Sequence, residues 1–423
     1  MRAPGAPPDV GTCGRVDHYR DAVDPLFVVL AAGVTAPLLS LVTRKVVPGV
    51  VFEIGLGIVI GPAVLAWSSA TGSVQSVADV GLSFLMFLAG LEVNLRTMRG
   101  DALRRSGGSW LVSVALASIV GLVVVLAGGG DAARFVAIAL TTTALGTLLP
   151  ILREEKVVGT PLGERTLAVG TIGEFGPIVL IALLLSGRNP VAVLAELAIF
   201  AVVVVAGLWA ANHLRVPWLR RSVTQGMHST SQLPVRVAVL AVAFFVLLAD
   251  DLGIDALMGA FAAGLVVRTA TALDMAEDDQ LMLDRKLTAV GFGVFIPIFF
   301  VTSGMKMDVA SMIEHPTSLL LIPGFVVAAL LVRGIPTWWA YRRSVSPPDA
   351  RSLALLSAAA LPLVVVITEQ GVAAKALPPE VAAAMVAGGL LSVLVLPLLA
   401  LRGRARAEDP GTDATAQVAT PAP

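Results

Sequence analysis

Cysteine is almost missing from this chain. Cys13 is the only one in 423 residues, which excludes an intrachain disulfide framework and any cysteine-built metal cluster. Charge is scarce too, at 14% of residues, and aromatics reach only 5%. Acidic and basic side chains balance to zero, so nothing global points to a nucleic-acid partner. No H-E-x-x-H, Walker loop, G-x-S-x-G or Cys/His metal spacing occurs, which leaves enzymatic chemistry without a seat and calls for no cofactor. Residues 1–25 are polar, with Pro and Gly and no apolar run, so no cleaved signal peptide is expected.

What the chain has instead is apolar length. Hydrophobic residues make up 56% and the mean hydropathy is +0.86, a balance that soluble domains do not have. The 40 glycines suit helices whose backbones pack closely in lipid. Apolar segments fall at 26–42, 50–66, 77–95, 108–128, 132–152, 164–186 and 190–210. They resume at 234–250, 254–271, 288–304, 317–341, 350–371 and 380–401, predicting an all-α polytopic membrane protein of about thirteen spans. The stretch 211–233 is the expected cytoplasmic linker between transmembrane halves 26–210 and 234–401; 1–25 and 402–423 are expected as tails, the latter disordered. Most Lys and Arg collect in alternate loops, and the positive-inside rule then sets the N-terminus outside and the C-terminus in the cytoplasm.

Two charges fall deep inside spans. Glu174 lies within ERTLAVGTIGEFGPIVLIALLLS, where an ionised group costs about 2.5–3.5 kcal/mol on insertion scales and normally faces a cavity or a partner. Such a carboxylate reads as an ion or proton site; the competing reading is a protonated carboxyl hydrogen-bonded between helices. Gly173, Gly176 and Pro177 permit close approach and a local break beside it. Arg333 is the second buried charge and stays protonated, so it requires an anionic partner, Glu174 being the economical choice, or several carbonyls. Alternatively it snorkels to the surface. In FVAIALTTTALGTLLPIL, Thr141, Thr142 and Thr143 precede Gly146 and Pro150. A proline frees a carbonyl one turn earlier, so hydroxyls and loose carbonyls can face a cation, unless the threonines bond back to their own helix. Pro362 marks the matching interruption in the second half, and two such helices crossing near the midplane would build an ion site within an inverted repeat. Glu53 lies within the first turn of its helix and Glu92 near the inner end of the third span, and Glu369 reads as interfacial.

Four strings, EIGLGIVIGP (53–62), VGLSFLMFLAGLEVNL (80–95), LMGAFAAGLVV (257–267) and FIPIFFVTSGMKMD (295–308), occur in an order and spacing that resembles the cation:proton antiporter-2 family over residues 26–401. The resemblance implies a thirteen-span inverted repeat with two crossing broken helices, a homodimer and a multi-pass place in the bacterial inner membrane. Family members carry Asp-Asp, Asn-Asp or Gln-Asp on the sixth span; here the place reads Gly173-Glu174, so the usual polar neighbour of the essential carboxylate is absent. Arg333 resembles a position where lysine is common.

The function expected is antiport of Na⁺ or K⁺ against H⁺ by alternating access. Glu174 takes either cation or proton, the three threonines add oxygens, and Arg333 balances charge; one exchangeable proton per cycle implies electroneutral exchange. The rivals are an organic-anion symporter on a similar fold, with Arg333 reading the anion, and a non-transporting membrane sensor.

Overall fold

The computed structural model describes residues 13–43, 47–93, 100–185, 189–213, 232–274, 277–314 and 316–408. Much of the expected linker 211–233 and of both tails lies outside the described residues. All regular structure among the described residues is helical. In chain order the helices are α1 (Cys13–Val42), α2 (Gly49–Ile60), α3 (Gly72–Glu92), α4 (Asp101–Leu126), α5 (Ala132–Leu140), α6 (Leu145–Glu154), α7 (Pro161–Leu184), α8 (Pro190–His213) and α9 (Leu233–Asp251). They continue with α10 (Ala256–Asp274), α11 (Glu277–Val290), α12 (Ile296–Met305), α13 (Val309–Glu314), α14 (Leu321–Ala329), α15 (Ile335–Tyr341), α16 (Pro347–Ser357), α17 (Pro362–Ala373) and α18 (Pro379–Glu408). Eleven helical stretches among the described residues are long and apolar enough to cross a membrane; Gly49–Ile60 and Ala256–Ala272 are shorter apolar helices. The chain is a multi-pass membrane protein.

Two elements run past their predicted ends. α1 begins at Cys13 and α18 continues to Glu408, the latter through an Arg- and Ala-rich segment of high helix propensity.

The chain resolves into two compact units, Met1–Leu82 with Val290–Met307, and Ser83–Ala289 with Asp308–Pro423. These cut across the two halves read from the sequence. In the first unit α2 lies backbone to backbone on α12. A Cβ on Gly57 would strike the carbonyl of Val301, and one on Gly304 the carbonyl of Ile54. Without a hydrophobic force between helices in lipid, such small-residue contacts hold them together by packing.

The second unit holds Glu174, Arg333 and the three threonines. Here α7 starts on a Thr160 cap, whose hydroxyl accepts from the Gly163 amide, with Pro161 in the first turn. α16 starts the same way, on Ser346 and Pro347. Two spans are interrupted, α5/α6 at 141–144 and α16/α17 at 358–361. The first interruption falls ahead of Pro150. Pro150 lies inside α6, and the chain leaves helical geometry at the threonines instead. A π-helical turn, Leu330–Gly334, carries Arg333 just before Pro336; such turns are frequent at functional sites.

Candidate functional site

Three prolines free backbone carbonyls around the site. Pro177 has no N–H to offer the carbonyl of Gly173, four residues earlier. That carbonyl accepts instead from the Thr143 amide at 2.9 Å, which fastens the α5/α6 break to α7. By the same logic Pro150 leaves the Gly146 carbonyl without an intrahelical donor, and Pro362 does so for Ala358. The two breaks meet directly: Ala144 N–H donates to the Ala359 carbonyl at 2.7 Å, and the Thr143 hydroxyl to the Ser357 carbonyl at 2.6 Å. Ser392 of α18 accepts from the Ala360 amide, and the Trp110 indole donates to the Thr141 carbonyl. Both breaks are thus tied into their surroundings by hydrogen bonds, as buried backbone requires.

Glu174 is 1% exposed, and neither carboxylate oxygen has a protein hydrogen-bond partner. A Cβ on Gly146 would stand 4.0 Å from its Oε1. Buried polar groups are almost always satisfied, which makes this carboxylate the candidate site.

Arg333 is fully buried and does not snorkel. Its Nε and Nη2 donate to the Thr143 hydroxyl at 3.1 and 2.8 Å, Nη1 to Ser113 at 3.5 Å, and Nη2 to the Val169 carbonyl at 3.4 Å. No ion pair joins it to Glu174, which corrects the expectation of a direct pair. The reason lies at Gly173. A Cβ there would stand 2.5 Å from Arg333 Nη2 and 2.5 Å from the Thr143 hydroxyl. The guanidinium occupies the space that a side chain at 173 would take, while Glu174 leaves the helix about 100° further round.

The threonines divide in the same way. Thr141 and Thr142 donate to the carbonyls of Ile138 and Ala139, both at 2.7 Å, which is the back-bonding alternative. Thr143, expected as a cation ligand, is committed to Arg333 and to Ser357. All three are buried. Gly176 lets the Trp110 ring lie against α7, since a Cβ there would overlap it. The sequence reading missed Ser113 and Trp110 on α4. The signal was present, because Ser106, Ser109 and Ser113 form a buried polar stripe at helical spacing on an otherwise apolar helix.

Two interrupted helices that meet at their breaks, beside the α7 helix that carries Glu174, have the layout of the broken-helix class of membrane fold. Within it, the family model described as sodium/hydrogen exchanger, transmembrane, matches residues 28–401, and the chain belongs to that family. It is 29% identical over 336 residues to the putative Na⁺/H⁺ antiporter YjbQ of Bacillus subtilis, covering 75% of this chain but only 53% of that longer relative. It is 25% identical to the Na⁺/H⁺-K⁺ antiporter GerN of Bacillus cereus, over 83% of this chain and 88% of GerN. The solved structure of the sodium proton antiporter MjNhaP1 from Methanocaldococcus jannaschii at pH 8 has the same fold. It superposes with a TM-score of 0.62 at 19% identity, over 90% of this chain and 98% of that one.

Proposed function

We propose that the protein is a secondary antiporter that exchanges Na⁺ or K⁺ for H⁺, with Glu174 as the carrier group. The observation that supports it is the buried carboxylate without a protein partner, set where the two interrupted helices meet. Such a group is neutral when it holds a proton or a monovalent cation and costly when it holds neither. Competition for it therefore couples the two fluxes. The names of YjbQ and GerN point to the same ions, GerN extending the range to K⁺.

Arg333 supplies a fixed positive charge near the site without touching the carboxylate. It does not give up its proton at working pH, so one proton and one cation exchange per turn, electroneutrally. Oxygens for the cation come from Glu174 and from the breaks, where the Gly146 carbonyl and the Thr141 and Thr142 lone pairs are the candidates. The cycle runs by alternating access in a homodimer of the bacterial inner membrane, with the N-terminus outside and the C-terminus in the cytoplasm.

The test is proton movement in inside-out vesicles, followed with a pH-sensitive dye as Na⁺, K⁺ and Li⁺ are added in turn. Wild type should alkalinise the lumen with at least one cation, and Glu174→Gln should not. Equal responses from the two proteins would refute the assignment of Glu174, and no response from wild type to any cation would refute antiport of these ions.

A further inference from the structure

α15 ends in a cluster of exposed aromatic and basic side chains. Trp338 and Trp339, two of the chain's six tryptophans, are 38% and 64% exposed. The Arg342 guanidinium lies over both rings, its Cζ 5.2 Å from the Trp338 centroid and 5.9 Å from that of Trp339. Arg343 beside it is exposed as well. Neither arginine pairs with a carboxylate among the described residues. The basic groups next to them are already engaged. Arg105 holds Asp101 at 2.6 Å and donates to the Ala340 carbonyl at 3.1 Å, and Arg165 donates to the Ser344 carbonyl at 3.4 Å.

Deeper along the same span runs an apolar track. Val327, Leu331, Ile335 and Trp339 recur every fourth residue within Ser318–Tyr341, each more than half exposed, while Arg333 and Thr337 are fully buried on another face. From Val327 to Trp339 the helix rises about 18 Å. One leaflet of the hydrocarbon core is about 15 Å deep. The track therefore matches the depth of a single leaflet. The end of the span sets Arg342 and Arg343 at the level of the headgroups, where tryptophan rings also settle.

We propose that this face binds an anionic phospholipid, with the phosphate on Arg342 and Arg343 and one acyl chain along the Val327–Trp339 track. Basic residues at a span end follow from membrane orientation alone. What singles out this end is that two unpaired guanidinia, two exposed indoles and a leaflet-deep apolar stripe lie on one helix. The charge is complementary to a phosphate diester, and guanidinium groups bind phosphate oxygens with strong, charge-assisted hydrogen bonds. A free phosphate would use the arginines and leave the track empty. The same span carries Arg333, about 13 Å deeper than Arg342. A headgroup held at Arg342 and Arg343 therefore fixes the depth of the helix that places the buried guanidinium.

The experiment counts bound lipid by native mass spectrometry of the full chain in detergent, as phosphatidylglycerol or phosphatidylcholine is titrated in. Wild type is compared with Arg342→Gln/Arg343→Gln and Arg342→Lys/Arg343→Lys. Wild type should retain phosphatidylglycerol in preference to phosphatidylcholine. The glutamine pair should weaken that binding about fivefold per arginine and about thirtyfold together, and the lysine pair should keep most of it. Equal affinity of wild type for the two lipids, or a glutamine pair that binds like wild type, would overturn the site. Displacement of the lipid by inorganic phosphate would overturn the acyl track. A glutamine pair that changes oligomeric state and keeps its lipid would assign the face to a second copy of the chain instead. A second measurement covers a poorly folding variant. In phosphatidylcholine nanodiscs, brominated phosphatidylglycerol should quench wild-type tryptophan fluorescence more than brominated phosphatidylcholine does, and Trp338→Phe/Trp339→Phe should lose the excess. Equal quenching by the two lipids would also overturn the proposal. Neither measurement reads ion movement, so the lipid site and the antiport reading stand or fall separately.

Discussion

Replacing Gly173 by alanine should unseat Arg333, and the cost can be worked from the contacts around it. The new methyl carbon would stand 2.5 Å from the Arg333 Nη2, 2.5 Å from the Thr143 hydroxyl and 2.7 Å from the Thr143 Cβ. The guanidinium is the end of a long side chain, but it is fully buried, with hydrogen-bond partners on three sides. Thr143 is less able to yield, because its amide is tied to the Gly173 carbonyl itself. Overpacking of this kind costs about 1–3 kcal/mol. Weakening a charge-assisted hydrogen bond to Thr143 adds about 1.5–3 kcal/mol. The sum, roughly 2.5–6 kcal/mol, is large against ordinary single substitutions.

The assay is a double-mutant cycle on thermal unfolding in detergent or nanodiscs, with Gly173→Ala, Arg333→Met and the double variant, and transport measured alongside. The shorter reach of methionine should relieve the clash. The double variant should then fall short of the sum of the singles by about 0.5–3 kcal/mol, the range for residues in contact. Strict additivity, or a Gly173→Ala protein that melts and transports like wild type, would show that the guanidinium does not occupy the space beside Gly173.

Two further outcomes test the packing that carries the site. Gly304→Ala should loosen α2 from α12, because its Cβ would meet backbone rather than a movable side chain, 2.9 Å from the Ile54 carbonyl carbon; about 1–3 kcal/mol of lost stability should appear as a lower melting temperature. Tyr341→Phe removes the 2.7 Å hydrogen bond to Ser106 that joins α15 to α4, and should cost about 1 kcal/mol in the same melt while leaving the cation KM unchanged.

That the chain crosses a membrane many times in helices was legible in the sequence, because a long apolar run is a local signal. Where the first helix breaks was not. Pro150 advertised an interruption, but a proline weakens a helix a turn before itself, and α6 tolerates one there. The break sits instead where Thr141 and Thr142 bond back to α5 and Thr143 turns to α7. The partner of Arg333 was illegible for another reason. Proximity in a list of two buried charges suggested Glu174, whereas the acceptor is a hydroxyl whose position depends on contacts among α5, α7 and α16. No periodicity in one helix encodes that.

The glycine and the proline on α7 nevertheless act as one device, and their spacing was visible. Pro177 releases the Gly173 carbonyl, the carbonyl captures the Thr143 amide, and Thr143 then presents its hydroxyl between the Ser357 carbonyl and Arg333. The missing side chain at 173 gives the guanidinium room to reach that hydroxyl. A positive charge anchored in this way cannot swing over to neutralise Glu174 without abandoning its hydrogen bonds in a medium that offers no replacement. An arginine that contacted the carboxylate directly would compete with the transported cation at every turn of the cycle. On the proposed antiport reading, an arginine held one residue away tempers the cost of an ionised carboxylate at long range and leaves the carboxylate oxygens to the ions. That separation matters on the same reading, because Glu174 has to bind and release both substrates.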